Sequence, residues 1–290
     1  MNDDTLGAVT RLLQPVSDDP SLDASVLLAS LVGCSRSWIA AHPDLTLSAD
    51  QSAALQSAVR RLQAGEPLPY VLGSWEFYGL RFIVSPDVLI PRPETELLVE
   101  LALDWLHDSG DRRNVADIGT GSGCIGITLA LGISDVDVLA TDISEGALRV
   151  ARQNAELHGV NERIHFMLTD LLPPLPPKSD KHPADAPVSF DLVCANLPYI
   201  PTGRLRGLRV YRHEPILALD GGPDGLRLIR LLFSSVGSFL RPAARLLIEI
   251  DETTAVDAAR VAEQAFPSAH VRTHQDLAGR DRLLDVRLER

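Results

Sequence analysis

Val115-Ala116-Asp117-Ile118-Gly119-Thr120-Gly121-Ser122-Gly123 decides the fold class of this 290-residue chain. Residues 115–118 read as a short β-strand, three alternating glycines follow, and residues 124–131 open a helix. Glycines at a strand-to-helix turn permit positive φ and close approach of a ligand to the backbone. The free N–H groups of the helix start suit polar or anionic ligand groups. Downstream the same alternation continues. Strands are expected at 136–141, 164–168, 190–195 and 246–250, and helices at 144–158, 226–240 and 253–266. Two short strands near 269–273 and 283–288 finish the chain. Strands separated by helices imply βαβ units and a largely parallel sheet, and the closing pair predicts a mixed edge. The fold class is therefore α/β.

Upstream, the pattern changes. Leu6, Val9, Leu12 and Leu13 recur at helical spacing, as do Leu22, Val26, Leu27, Leu31 and Val32 up to a Gly33 stop. Ser48 caps a third helix running through Leu55, Val59 and Leu62 to Gly65. Residues 1–68 thus form a small helical bundle, read either as a packing module or as a docking surface for a macromolecular substrate. Residues 69–90, with β-formers around Phe77-Tyr78-Gly79-Leu80, form a hairpin linker, and 91–290 form the α/β domain. In Ile90-Pro91-Arg92-Pro93-Glu94-Thr95-Glu96 the prolines fix an extended segment before a helix carrying Leu97, Leu98, Leu101, Leu103 and Leu106.

Lys plus Arg number 27 against 39 Asp plus Glu, a net charge of −12. That balance argues against a broad basic footprint, so no stable nucleic acid complex is expected. Four arginines between 204 and 212 make a possible local patch. Cys34, Cys124 and Cys194 have no disulfide or zinc spacing and read as small apolar residues. No HExxH is present, and no metal is expected. The first residues lack a secretory pattern and no apolar run spans a membrane, so a cytoplasmic setting is expected. Residues 173–188 hold six prolines and read as a solvated loop without chemistry.

Gly119, Thr120, Gly121, Ser122 and Gly123 form the candidate donor loop. Their G-x-G-x-G spacing is not the dinucleotide fingerprint G-x-G-x-x-G. It favours S-adenosylmethionine, which has no pyrophosphate to hold. Asp142 ends the next strand, 19 residues after Gly123, where a carboxylate can accept ribose hydroxyls or cap the following helix. Asp170 ends the third strand, placed to accept from the adenine amino group, with Leu171 packing on the ring.

The second informative stretch is Asp191-Leu192-Val193-Cys194-Ala195-Asn196-Leu197-Pro198-Tyr199. An apolar strand runs into Asn-Leu-Pro-Tyr at the sheet's carboxyl end, where ligands of open α/β sheets bind. A carboxamide beside an aromatic suits a planar, uncharged –NH2 group. The Asn196 oxygen and the Leu197 carbonyl can accept its two N–H groups, Pro198 holds Leu197 extended, and Tyr199 can stack on its plane. Asn196, Pro198 and Tyr199 are the candidate catalytic residues, Leu197 joins them in the substrate site, and Asn196 is also counted among the donor-binding residues. A carboxamide nitrogen is a poor nucleophile, so alignment with an activated methyl is the main task. A general base is dispensable, because the amide becomes acidic on methylation.

With these segments in hand, the chain resembles the protein-glutamine methyltransferases that modify peptide chain release factors, the PrmC/HemK family. The resemblance runs from about residue 20 to 288. It is carried by Pro69-Tyr70-Val71-Leu72-Gly73, the Ile90–Glu96 run, the glycine loop, Thr141-Asp142-Ile143-Ser144, Glu214-Pro215, the stretch 222–226 and Ala278-Gly279-Arg280-Asp281-Arg282. It implies a helical N-terminal domain, a hairpin linker and a class I S-adenosylmethionine-dependent methyltransferase domain, Rossmann-like with a seven-stranded mixed sheet. It also implies methylation of the glutamine in the Gly-Gly-Gln motif of release factors. Two positions depart from the family pattern. Leu197 stands where the family has Pro, and Glu249-Ile250-Asp251-Glu252 replaces Glu-Ile-Gly, adding carboxylates near a strand end. Two rival readings are an adenine-N6 methyltransferase of RNA or DNA, in which the aromatic stacks on a base, and a catalytically inactive binding module.

Overall fold

The computed structural model describes residues 5–108, 113–173 and 189–289. The proline-rich stretch from 174 to 188 lies outside them. The chain divides into two compact units, Met1–Trp75 and Glu76–Arg290.

The first unit is helical: α1 (Leu6–Leu13), α2 (Pro20–Val32), α3 (Arg36–Ala41), α4 (Ala49–Gln63) and α5 (Leu68–Leu72). Gly33 closes α2 in the left-handed region. Ser48 and Gln51 form a capping box at the start of α4. Val9, Leu13, Leu27, Leu28, Ile39 and Leu55 fill the core. Sequence periodicity did not show α3, since six residues are too few to display it.

The division falls within a hairpin of β1 (Ser74–Phe77) and β2 (Leu80–Ile83). Its two-residue loop, Tyr78-Gly79, has positive φ at both positions, the twist that matches paired strands. A tyrosine there is strained, and its N–H is held by Glu96 Oε1 at 2.8 Å.

The second unit continues with α6 (Glu96–Asp108), β3 (Arg113–Ile118), α7 (Cys124–Gly132), β4 (Val136–Asp142), α8 (Glu145–Leu157), β5 (Ile164–Leu168) and β6 (Phe190–Ala195). Then come a short α9 (Thr202–Leu205), α10 (Arg227–Val236), β7 (Leu240–Glu249), α11 (Ala255–Ala265), β8 (His270–Gln275) and β9 (Asp281–Arg287). The strands form one seven-stranded sheet ordered β5-β4-β3-β6-β7-β9-β8. All neighbours from β5 to β7 are parallel, while β9 is antiparallel to both β7 and β8. The expected α/β class, mixed edge and seven strands are all present.

Both faces are covered, so the central strands carry buried apolar residues on both sides rather than alternating. Val115, Val138, Leu192 and Leu247 pack with Leu98, Val99 and Leu106 of α6 and Ile127 and Leu129 of α7. Ala116, Ile118, Val193 and Leu246 pack with Ile229 and Phe233 of α10 and Ala258 of α11. β7 begins six residues before the expected strand. Its first residues contain Pro242 and Ala243, the latter at φ +60°, and the β6 register shifts there. Such a bulge hides a strand from pattern reading. In the sheet, Arg245 is buried and paired through two hydrogen bonds of 2.9 and 2.8 Å with Asp285, so neither charge is left unpaired.

Candidate active site

The strand order sets the site. β4 lies on one side of β3 and β6 on the other, so the chain changes winding direction at β3. Ligands of such sheets bind at the carboxyl ends of the strands flanking that point. Ile118 pairs with Ala195 as the last residue of each strand, so Gly119 and Asn196 leave the sheet side by side. A cavity of about 320 Å³ opens there. Gly119, Thr120, Gly121, Ser122, Asp142, Asp170, Leu171, Asn196, Leu197 and Pro198 line it. Two expected residues, Gly123 and Tyr199, are not among its walls.

The loop conformation explains its glycines. Gly119, Gly121 and Gly123 have φ of +72°, +56° and +82°. At Gly121 an added Cβ would meet only the Gly119 carbonyl, at 4.0 Å, so this position is open to a ligand. Gly123 serves packing instead. It is the N-cap of α7, and a Cβ there would lie 2.8 Å from Ile127 Cδ1 and 3.3 Å from Ala151 Cβ. The loop is fastened underneath by Asp117, a residue whose role the sequence did not reveal. Its Oδ2 accepts from Thr120 Oγ1 at 2.6 Å and from the Gly126 N–H at 3.0 Å. Burial pushes this carboxyl up to about 6. Asn154, also unforeseen, donates to the Ser122 carbonyl at 2.9 Å and exchanges two hydrogen bonds with Ile83 at 2.7 and 3.0 Å.

Asp142 braces both the glycine loop and the turn that enters α8. Its Oδ2 accepts from the Gly121 N–H at 2.9 Å and its Oδ1 from the Ser144 N–H at 2.8 Å. Ser144 in turn caps α8. Each carboxylate oxygen keeps a lone pair for a ligand in the cavity. Desolvation raises the carboxyl above its ordinary range. Leu171 sits at φ +58° with its carbonyl held by Thr141 Oγ1 at 2.6 Å, which fixes the exposed Asp170 beside the same cavity. Carboxylates at two successive strand ends, an apolar wall and an open glycine backbone fit a nucleoside with ribose hydroxyls and an amino group.

On the opposite wall, Asn196 Nδ2 donates to Thr95 Oγ1 at 3.0 Å. Thr95 Oγ1 donates to Glu249 Oε2 at 2.6 Å, and the Tyr199 hydroxyl donates to Glu249 Oε1 at 3.1 Å. Thr95 and Glu249 are both buried. Tyr199 is expected to stack on the acceptor; in the structure its hydroxyl is held by Glu249, and it is not among the residues that line the cavity. Burial pushes Glu249 up to about 7 and lifts the Tyr199 phenol as well.

The Asn-Leu-Pro-Tyr loop rests on a glycine ledge. The Ile200 N–H donates to the Leu219 carbonyl, and the Gly221 N–H to the Ile200 carbonyl. A Cβ at Gly221 would lie 2.7 Å from the Tyr199 backbone, and one at Gly225 would lie 2.3 Å from the Tyr199 carbonyl oxygen. Beside the ledge, Glu214 accepts from Arg92 and, at 3.2 Å, from the Ile90 N–H, which ties down the Pro-Arg-Pro run.

The two departures have local explanations. Leu197 is buried and packs over Gly119, where an added Cβ would lie 3.2 Å from its Cδ2, and the cavity beside it stays open. Asp251 caps the turn that follows β7 through the Thr253 N–H at 2.8 Å and pairs with Arg204 at 3.6 Å. Glu252 faces Arg280 at 3.9 Å. Neither carboxylate lines the cavity. Cys124 and Cys194 are buried, and their thiols are pushed up by desolvation. Among the described residues no group of three or more His, Cys, Asp or Glu could hold a metal, and no helix is long and apolar enough to cross a membrane.

Comparison with known proteins shows the family of the chain. Residues 4–73 match the PrmC N-terminal domain model, and residues 94–198 match the ribosomal protein L11 methyltransferase (PrmA) model. In fold, the chain resembles a Thermus thermophilus 16S rRNA methyltransferase with a TM-score of 0.51 at 16% identity, over 74% of this chain and 50% of that one. The release factor glutamine methyltransferase of Chlorobaculum tepidum is 38% identical over 91% of this chain and 89% of its own length. That of Moorella thermoacetica is 40% identical over 95% of this chain and 94% of its own length. With relatives of that identity along nearly its whole length, the chain belongs to the release factor glutamine methyltransferase family.

Proposed function

We propose that this protein transfers a methyl group from S-adenosylmethionine to the side-chain amide nitrogen of the glutamine in the Gly-Gly-Gln motif of peptide chain release factors. The observation that carries the reading is the pairing of Ile118 with Ala195, which sets the glycine loop and the Asn196 carboxamide on one cavity. The names and identities of the relatives support the choice of acceptor.

When bound, S-adenosylmethionine supplies a methyl group already activated by sulfonium charge. Asp142 and Asp170 take its ribose and adenine, with Leu171 against the ring and residues 119–122 along the backbone. Asn196 Oδ1 and the Leu197 carbonyl accept the two N–H groups of the glutamine amide. This holds the nitrogen lone pair towards the methyl and stabilises the positive charge that grows on nitrogen. The amide then loses one proton to solvent. The helical unit, residues 1–68 in this reading, docks the release factor.

The net charge of −12 weighs against adenine methylation of RNA or DNA. The test is labelled-methyl transfer with a purified release factor and, separately, with ribosomal RNA. Label should enter the factor alone. Asn196→Ala should abolish transfer while S-adenosylmethionine still binds. Label in RNA, or loss of donor binding in that variant, would overturn the assignment.

A further inference from the structure

Thr95 and Glu249 lie outside both loops that define the site, yet they decide which way Asn196 faces. A hydroxyl carries one proton. Thr95 commits its proton to Glu249 Oε2 at 2.6 Å, so towards Asn196 it offers only lone pairs. The 3.0 Å contact with Asn196 is therefore made by the –NH2 end of the carboxamide. Oδ1 is the end left for a ligand, and Asn196 lines the cavity. Glu249 is in turn held on its other oxygen by Tyr199 at 3.1 Å. Three side chains, Thr95, Glu249 and Tyr199, thus fix one orientation of one amide.

We propose that Thr95 and Glu249 are positioning residues that hold the Asn196 oxygen towards the acceptor, so that the site takes a side-chain amide and rejects a carboxylate. The proposal rests on the function argued above. With the carboxamide reversed, its –NH2 would meet the –NH2 of glutamine, donor against donor. The same reversed group would welcome the oxygens of glutamate. Orientation at Asn196 therefore sets selectivity between two side chains of nearly equal shape, and a site built to accept N–H groups discriminates strongly against an analogue lacking them.

The chain also makes this orientation dependent on pH. The groups around Glu249 are Thr95, Tyr199, Glu94, Arg282 and Cys124. Burial outweighs the hydrogen bonds from Thr95 and Tyr199 and brings the carboxyl up to about 7. Once protonated, Glu249 can donate to Thr95. The threonine hydroxyl is then free to donate to Asn196, which favours the reversed carboxamide. The correct orientation belongs to the ionised form, so transfer gains as pH rises through about 7.

The test uses the full-length enzyme with a release factor as substrate. The same factor, carrying glutamate in place of the motif glutamine, serves as competitor. Thr95→Val should lower kcat/KM by on the order of tenfold or more and bind the glutamate factor better relative to the glutamine factor, without weakening donor binding. Thr95→Ser, which restores the hydroxyl, should restore the selectivity. Glu249→Gln should remove the rise in kcat/KM near pH 7. Unchanged glutamine-over-glutamate selectivity in Thr95→Val overturns the proposal. Should that variant not fold, a pH limb retained in Glu249→Gln overturns it equally. Transfer by the wild type tests the function itself, whereas the ratio of variant to wild type tests the positioning.

Discussion

Replacing Asp142 with asparagine separates its hold on the glycine loop and the turn into α8 from the donor-binding role proposed for it. The carboxylate accepts one backbone N–H on each oxygen, from Gly121 at 2.9 Å and from Ser144 at 2.8 Å. Asparagine has one oxygen and one –NH2, so one of these N–H groups must face another donor. A hydrogen bond to a charged group contributes about 1.5–3 kcal/mol. Asp142 is half-buried, which argues for the lower part of that range. About 2 kcal/mol of loop order is then lost before any ligand arrives. Loss of the charged acceptor for ribose adds about 1–2 kcal/mol if the carboxylate binds the donor. Together these weaken the donor by about 3–4 kcal/mol, or about 150-fold to 1,000-fold in Kd. Isothermal titration with S-adenosylhomocysteine, beside thermal unfolding of the same samples, measures both effects. A variant that loses thermal stability but binds the donor as tightly as wild type would refute the reasoning and reduce Asp142 to a brace for the backbone.

Gly225→Ala should displace the Asn-Leu-Pro-Tyr loop. The residue sits at φ +80°, and its Cβ would lie 2.3 Å from the Tyr199 carbonyl oxygen. The left-handed backbone costs about 1–2 kcal/mol and the clash adds to it, so a fall in Tm of about 6–12 °C is expected with loss of transfer; wild-type Tm would contradict the ledge. Glu249→Gln should change stability in a pH-dependent way. Its carboxyl is raised from 4.5 to about 7 in the fold, so the folded chain binds more protons than the unfolded chain between those values. The contribution of the wild-type carboxyl is fully present below about 4.5 and is lost as pH rises through about 7. The neutral variant escapes that loss, and its Tm relative to wild type should be higher at pH 8 than at pH 5. Equal differences at the two pH values would show that the buried charge costs nothing.

Much of the frame was legible because it depends on neighbours in sequence. The glycine loop, the caps at Ser48 and Gly33, and the alternation of strands and helices are all local signals. Asp142 and Asn196 could be found because each stands at the end of a strand. What escaped is long-range. Thr95 meets Glu249 across 154 positions, and Asn154 meets Ile83 across 71. Nothing near any of these residues marks its partner. Asp117 was in view within the quoted stretch, but a buried carboxylate under a loop reads the same as an exposed one until burial is known. The hydroxyl bond of Tyr199 to Glu249, 50 positions away, was equally out of reach of local pattern. The early start of β7 was concealed by Pro242 and the bulge at Ala243.

The central claim is that a methyl group and a glutamine amide meet between residues 119–122 and 196–198. Tandem mass spectrometry of a release factor after incubation with the enzyme and S-adenosylmethionine tests it most directly. One methyl on the side-chain nitrogen of the Gly-Gly-Gln glutamine is the expected result. A methyl on any other atom, or an unmodified factor under conditions where the donor binds, would contradict it.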